Sequence, residues 1–196
     1  MTIVDSLDVD KSLELYRGLL IEANKKLNLV SRPVVDKRLP VLIEESLAPL
    51  SWEQVRFESP LLDAGSGGGL PGLPLKISQP DLRVTLLDSN RRKTLFLRRV
   101  IEALGLTEVD VVWMRLENYA ALPSNQTRFR TITARGFGQL ELLINSAVAL
   151  LQEGGRLLVW RRKGDSQLPI STALAPPVFY NVSPGLVIVC WEKPSS

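Results

Sequence analysis

The stretch LLDAGSGGGLPG, residues 61–72, constrains the fold of this chain more than any other: a buried-strand pattern runs straight into a loop with five glycines in the eight positions 65–72. Glycine reaches backbone conformations and close approaches that a side chain forbids. Such density after a strand marks either a tight turn or a place where a ligand touches main chain. Pro71 suits the first turn of a helix that follows. In open parallel sheets these loops lie at the carboxyl ends of strands, where small molecules bind. Gly67, Gly69 and Gly72 also satisfy G-x-G-x-x-G, so the motif alone does not choose between nucleotide cofactors, and a ligand-free turn packing strand on helix would use the same glycines.

Around that loop the hydrophobic pattern divides the chain. In residues 8–30, Leu13, Tyr16, Leu20, Ala23 and Leu27 recur three and four apart and share one helix face, which Ser31, Arg32 and Pro33 end. A second helix is expected over about 34–48, with Leu39, Leu42, Ile43, Ser46 and Leu47. From Pro60 onward the β-rich runs LLDAG, RVTLLD, VDVVWM, RTITA and RLLVW alternate with helical segments. VFYNV and LVIVCWEK flank Ser183, Pro184 and Gly185, a hairpin signal. Strands alternating with helices imply a mostly parallel sheet covered on both faces, here closed by an antiparallel hairpin strand. The expected class is α/β with a Rossmann-like sheet, residues 1–58 forming an N-terminal helical cap and residues 59–196 one compact ligand-binding unit.

The 196-residue chain is 45% hydrophobic and 23% charged, enough for a substantial core. It contains no run of about 18 uncharged apolar residues. MTIVDSLDVD lacks the basic-then-apolar layout of a secretory leader, so a cytoplasmic chain is expected. The one cysteine, Cys190 in LVIVCW, reads as a buried small hydrophobe. Histidine is absent, which removes the commonest general base, the usual metal ligand and every Ser-His or Cys-His nucleophile; no metal is expected. The net charge of +3 is modest, but the cations are bunched: Arg91, Arg92 and Lys93, Arg98 and Arg99, then Arg161, Arg162 and Lys163. Bunching suits a polyanion, with solvated helix faces as the plain alternative. The pattern leaves no unexplained apolar stripe, so a monomer is the default.

Asp88 ends RVTLLD, 23 residues past Gly65, about where a carboxylate would accept hydrogen bonds from both hydroxyls of an adenosine ribose. It would serve equally to cap the helix of residues 90–104, a task Ser89 or Asn90 can share. In that helix Phe96, Leu97, Val100, Ile101, Ala103 and Leu104 form an inward stripe, leaving Arg91 and Arg98 outward and Arg92 and Arg99 on the flank. Gly105 closes it.

LLDAGSGGGLPGLPL (61–75), VTLLDSNRRKTLFLRRV (84–100), WMRLENY (113–119), ITARGFGQLELLINSAVALLQEGGRLLV (132–159) and Lys163-Gly164 together resemble the bacterial 16S ribosomal RNA guanine-N7 methyltransferases, the RsmG or GidB family. ANKKLNLVS (23–31) and EESL (44–47) are similar to it more loosely. The resemblance implies a class I methyltransferase sheet and S-adenosyl-L-methionine as cofactor. The target it implies is a guanine in the 530 loop of 16S rRNA, position 527 in the usual rRNA numbering, on the small ribosomal subunit.

Carried over by residue, the resemblance places Gly65 and Leu70 at the methionine end of the cofactor and counts Asp63, Gly67 and Gly69 among the residues that bind it. Asp88 and Ser89 fall at its ribose, Leu116 and Glu117 at its adenine edge, and Arg135 beside it near the incoming base. Arg91, Arg92, Lys93, Arg161, Arg162 and Lys163 are the candidates for holding RNA phosphates. The chain departs from the family pattern at Leu42, Glu45 and Arg130, where the family carries His, Asp and Asp. A methyltransferase acting on another RNA or on a small molecule fits the same residues, and two readings outside that class share these features. A nicotinamide-dependent oxidoreductase would use the glycines and Asp88, but little chain remains for a second substrate domain. A noncatalytic RNA-binding or assembly protein would use the basic clusters alone.

Overall fold

A computed structural model describes residues 6–29, 32–53, 55, 57–165 and 168–195. Strand residues alternate between two apolar faces, and this alternation builds a three-layer molecule. Leu61, Leu86, Leu158, Trp160 and Ile188 enter one core, while Leu62, Leu87, Leu157, Val159 and Val189 enter the other. Successive side chains on a strand face opposite ways, and here both ways are buried, so the sheet is covered twice.

Strands β1 (Leu61–Ala64), β2 (Val84–Asp88), β3 (Val109–Trp113), β4 (Phe129–Arg135) and β5 (Leu151–Arg162) pair in parallel. With β6 (Val178–Ser183) and β7 (Leu186–Glu192) they form a seven-stranded sheet ordered β3-β2-β1-β4-β5-β7-β6. The expected hairpin turns at Gly185, whose φ of 88° needs a residue without a Cβ. Its second strand docks antiparallel on β5, leaving β6 at the edge.

Helices α1 (Ser6–Leu27), α2 (Arg32–Leu47), α3 (Gly72–Ser78) and α4 (Arg91–Leu104) supply the first core; α5 (Leu116–Ala120) and α6 (Leu140–Leu150) supply the second. Tyr16, Leu20 and Leu39 are wholly buried, so α1 and α2 share their apolar core with β1, β2 and β5. Three local expectations need correction. The first helix stops at Leu27, because Asn28 takes φ 47°, a left-handed conformation that asparagine tolerates. Arg32 and Pro33 then begin α2 rather than terminate α1, as first-turn prolines do; Ser31 lies outside the described residues. In α4, Phe96, Leu97 and Val100 are buried but Ala103 is exposed. Successive residues turn by about 100°, which leaves Ala103 at the edge of a stripe whose centre Leu104 holds. Arg98 is exposed, as expected, and its guanidinium folds back to donate to the Val111 carbonyl on β3.

Candidate functional site

The glycine loop is shaped from below by a buried carboxylate. Asp63 has no solvent exposure; its Oδ1 accepts from Thr133 Oγ1 at 2.8 Å and its Oδ2 from the Gly72 amide at 3.3 Å. Ser66 Oγ donates to the Asp63 carbonyl at 2.8 Å. Burial lifts the Asp63 carboxyl to about 6, outweighing the hydrogen bonds that lower it; the charge of Asp88 adds to the rise. Gly72 is where α3 meets the sheet: a Cβ there would stand 2.7 Å from Leu86 Cδ2 and 2.8 Å from Asp63 Oδ2. From above, the Tyr16 hydroxyl of α1 donates to the Gly68 carbonyl at 2.9 Å. Burial, and next the charge of Asp63, push that phenol well above its ordinary value, so it acts as a neutral donor.

Beside this loop opens a cavity of about 360 Å³. It lies at the carboxyl ends of β1 to β4, where the strand order reverses between β1 and β4, the switch point at which α/β sheets bind ligands. Gly65 forms its floor, Asp88 and Ser89 one wall, and Met114 to Glu117 the next. The Gly136-Phe137-Gly138-Gln139 turn closes the far side, with Leu142 behind it. Asp88 is almost fully buried, its Oδ2 accepting from the Gly67 amide and its Oδ1 from the Asn90 amide, both at 2.8 Å. Asn90, not Asp88, caps α4, accepting from the Arg92 amide at 2.9 Å.

Of the residues singled out in the sequence, Gly65, Asp88, Ser89, Leu116 and Glu117 meet around this cavity. Asp63, Gly67, Gly69 and Leu70 do not line it. Asp63 is spent on holding Gly72 and Thr133, and Gly67 on holding Asp88. Gly69 sits at φ 98° over Leu73, and Leu70 is buried in the first core. These four support the cavity rather than face it. Lys93, expected at RNA phosphates, also lines the cavity.

Sequence reasoning missed Met114, Arg115 and the Gly136–Gln139 turn as cavity residues. The readable signal was a glycine-aromatic-glycine triplet directly after a strand. Phe137 lies over Gly65 so closely that a Cβ on Gly65 would be 3.0 Å from its ring.

Arg135 faces a second hollow of about 620 Å³, which shares Gly136 with the first and is lined also by Leu42, Glu45, Trp160, Arg161 and Arg162. Its guanidinium pairs with the Glu45 carboxylate and reaches the Leu42 carbonyl at 3.4 Å. Ser183 Oγ donates to Glu45 Oε1 at 3.1 Å and Trp160 Nε1 to the Glu45 carbonyl at 2.8 Å. Two departures from the family pattern, Leu42 and Glu45, therefore belong to one hydrogen-bonded wall. The third, Arg130, lies at the opposite end of β4 from Arg135 and reaches toward the Glu153 carbonyl at 3.5 Å. Arg91 and Arg92 are exposed on the first turn of α4, Arg162 and Lys163 where β5 ends, and Arg161 stands 4.0 Å from Asp165. Both clusters thus occupy the carboxyl edge of the sheet, where the two hollows open. Among the described residues, no group of three His, Cys, Asp or Glu is placed to hold a metal ion, and no helix is long and apolar enough to cross a membrane.

Comparison with known proteins agrees with this geometry. The fold is similar to an rRNA methylase from Streptococcus thermophilus (TM-score 0.56, 18% identity, 82% of this chain and 99% of that one). It is similar also to MtNAS solved in complex with S-adenosylmethionine (TM-score 0.57, 17% identity, 97% and 77%). Proteins named ribosomal RNA small subunit methyltransferase G are 37% identical over 149 residues in Rubrobacter xylanophilus (76% of this chain, 57% of that protein) and 39% identical over 140 residues in Laribacter hongkongensis (71% and 64%). The chain spans about three fifths of the length of these curated relatives. Residues 10–169 match the family described as rRNA small subunit methyltransferase G, and the chain belongs to that family, GidB.

Proposed function

We propose that this chain is an S-adenosylmethionine-dependent methyltransferase that methylates N7 of a guanine in the 530 loop of 16S rRNA, acting as a monomer on the small ribosomal subunit in the cytoplasm. The observation that carries the reading is the Asp88 carboxylate in the wall of the switch-point cavity, in a chain of this family. Each Asp88 oxygen takes one backbone amide, from Gly67 or Asn90, and keeps acceptor capacity for one hydroxyl of a vicinal diol. Gly65, lacking a Cβ, lets the Phe137 ring close over it at the cavity, and Met114, Leu116 and Leu142 offer apolar surface for a planar base. The volume lies at the small end of the range for ligand pockets, about 300–1,000 Å³. The donor set therefore fits an adenosine cofactor.

Bound there, S-adenosylmethionine would supply a sulfonium methyl as electrophile. Guanine N7 carries an in-plane lone pair and no proton, so accepting that methyl would need no general base from the chain. A chain without histidine loses nothing in such a reaction. What its residues contribute is alignment, worth on the order of 7–11 kcal/mol in favourable cases. Asp88 holds the ribose end, Phe137 over Gly65 keeps water from the reacting end, and Gly136 lines both this cavity and the hollow where Arg135 meets an incoming base. Arg91, Arg92, Arg161, Arg162 and Lys163 hold phosphates on either side, which positions RNA without reading it. An unpaired target base would enter from the carboxyl edge of the sheet.

Transfer of labelled methyl to small subunits lacking this modification, compared with free 16S RNA and with Asp88→Ala, tests the reading. Label at one guanine of the 530 loop, lost in Asp88→Ala, is the expected result. Cofactor binding by calorimetry without label on that guanine would move the substrate elsewhere. No cofactor binding would refute the enzyme and leave a noncatalytic RNA-binding role.

A further inference from the structure

Trp113 is the one exposed tryptophan of four, with 56% of its surface open, and it enters neither apolar core. A lone exposed apolar residue needs no explanation, but this one is held in place. It ends β3, the edge strand, in register with Asp88. Its indole N–H donates to the Ser89 carbonyl at 3.0 Å, which fixes the ring. The Arg91 guanidinium carbon lies over that ring, 5.5 Å from its centroid. Ser89, Met114 and Arg115 around it line the cofactor cavity, while Trp113 itself stays outside.

A fixed indole with a cation on its face, beside exposed Arg92 and Arg115, has the composition of a stacking site for an unpaired base next to phosphates. We propose that Trp113 and Arg91 form a platform on which a single-stranded nucleotide of the RNA, outside the methylation pocket, stacks during binding. Because the ring is already immobilised, stacking costs little further side-chain entropy. The sequence-tolerant π-face adds affinity without base identity, and the platform extends the RNA track along the carboxyl edge from β5 across to β3. The proposal rests on the RNA-methyltransferase reading for its ligand class, but its test does not use methyl transfer.

The experiment measures binding of an unstructured RNA of about ten nucleotides to the full chain, by anisotropy and by quenching of indole emission, over a series of salt concentrations. Trp113→Ala should weaken binding roughly 5- to 150-fold with the slope of log affinity against log salt unchanged, since a stacked base and not a phosphate is lost. Trp113→Phe, which keeps a π-face, should recover most of the loss. Arg91→Ala should both weaken binding and lower the salt slope by about one. Trp113→Ala binding like the parent, or Trp113→Phe no better than Trp113→Ala, overturns the platform alone. A parent chain that does not bind the RNA overturns the platform, while methyl transfer to small subunits and cofactor calorimetry still report separately on the proposed substrate and the methyltransferase site.

Discussion

Replacing Asp63 with Asn separates the charge of the buried carboxylate from its hydrogen bonds. The Asn carbonyl can accept from the Gly72 amide, and its NH2 can donate to Thr133 Oγ1, a hydroxyl that serves as donor or acceptor, so the loop keeps its two anchors. What changes is titration. The folded carboxyl sits at about 6 against an ordinary 3.8, raised chiefly by burial. Between those two values the folded state holds a proton that the unfolded state has released. Stability therefore falls as pH rises across this window: the contribution is whole below about 3.8 and gone above about 6. Roughly two pH units at about 1.4 kcal/mol each give about 3 kcal/mol. Urea unfolding of parent and Asp63→Asn, at intervals from pH about 4 to about 7.5, should show their difference moving by about that amount in favour of the variant as pH rises. Taking the difference cancels the titration of carboxylates that do not interact with Asp63. A constant difference across the window, or a variant that loses ground as pH rises, would refute the account of Asp63 as a desolvated carboxylate.

Gly72→Ala should destabilise the fold by about 1–3 kcal/mol, because its Cβ would meet Leu86 and Asp63 at under 3 Å in a closed packing site; thermal unfolding reads this directly. Asp88→Ala removes an acceptor from the cavity wall and should reduce adenosine-cofactor affinity by about 10-fold or more, at 1.5–3 kcal/mol for each hydrogen bond to a charged group, measured by calorimetry. Glu45→Ala strands Arg135, whose side chain is 16% exposed, and should cost about 3–5 kcal/mol of stability; a cycle with Arg135→Ala should show strong coupling between the two. The Cys190 thiol, pushed up to about 11 by burial, should resist maleimide in the folded chain near pH 8 and react once denaturant opens the sheet.

Much of the fold was legible because its signals are local. Five parallel strands, the closing hairpin, the glycine loop and Asp88 at the end of β2 all follow from periods of two and of about 3.6 residues and from glycine and proline punctuation. Ala103 was misread because one step of about 100° from Leu104 carries it to the exposed edge of the stripe. Arg98 is exposed as its place on the helix implies, but its bond to a carbonyl on the neighbouring strand is something no helical wheel contains.

The chain's own order of residues determined that a flexible loop would follow a buried strand, that one carboxylate would end the next strand, and that no imidazole chemistry would be used. Only the tertiary structure decided which residues face the cavity. Tyr16 meets Gly68 across 52 positions, Glu45 meets Arg135 across 90, and Ser183 reaches Glu45 across 138. Asp63 was drawn beneath the loop, Gly67 was tied to Asp88 and Gly69 set against Leu73, Phe137 was laid over Gly65, and Arg135 was turned into the neighbouring hollow. Local pattern encodes which face of an element is apolar, whereas these pairings depend on the order of strands in the sheet and the docking of α1 and α2 upon it. That order is selected by burying two cores at once, a property of the whole chain and not of any window within it.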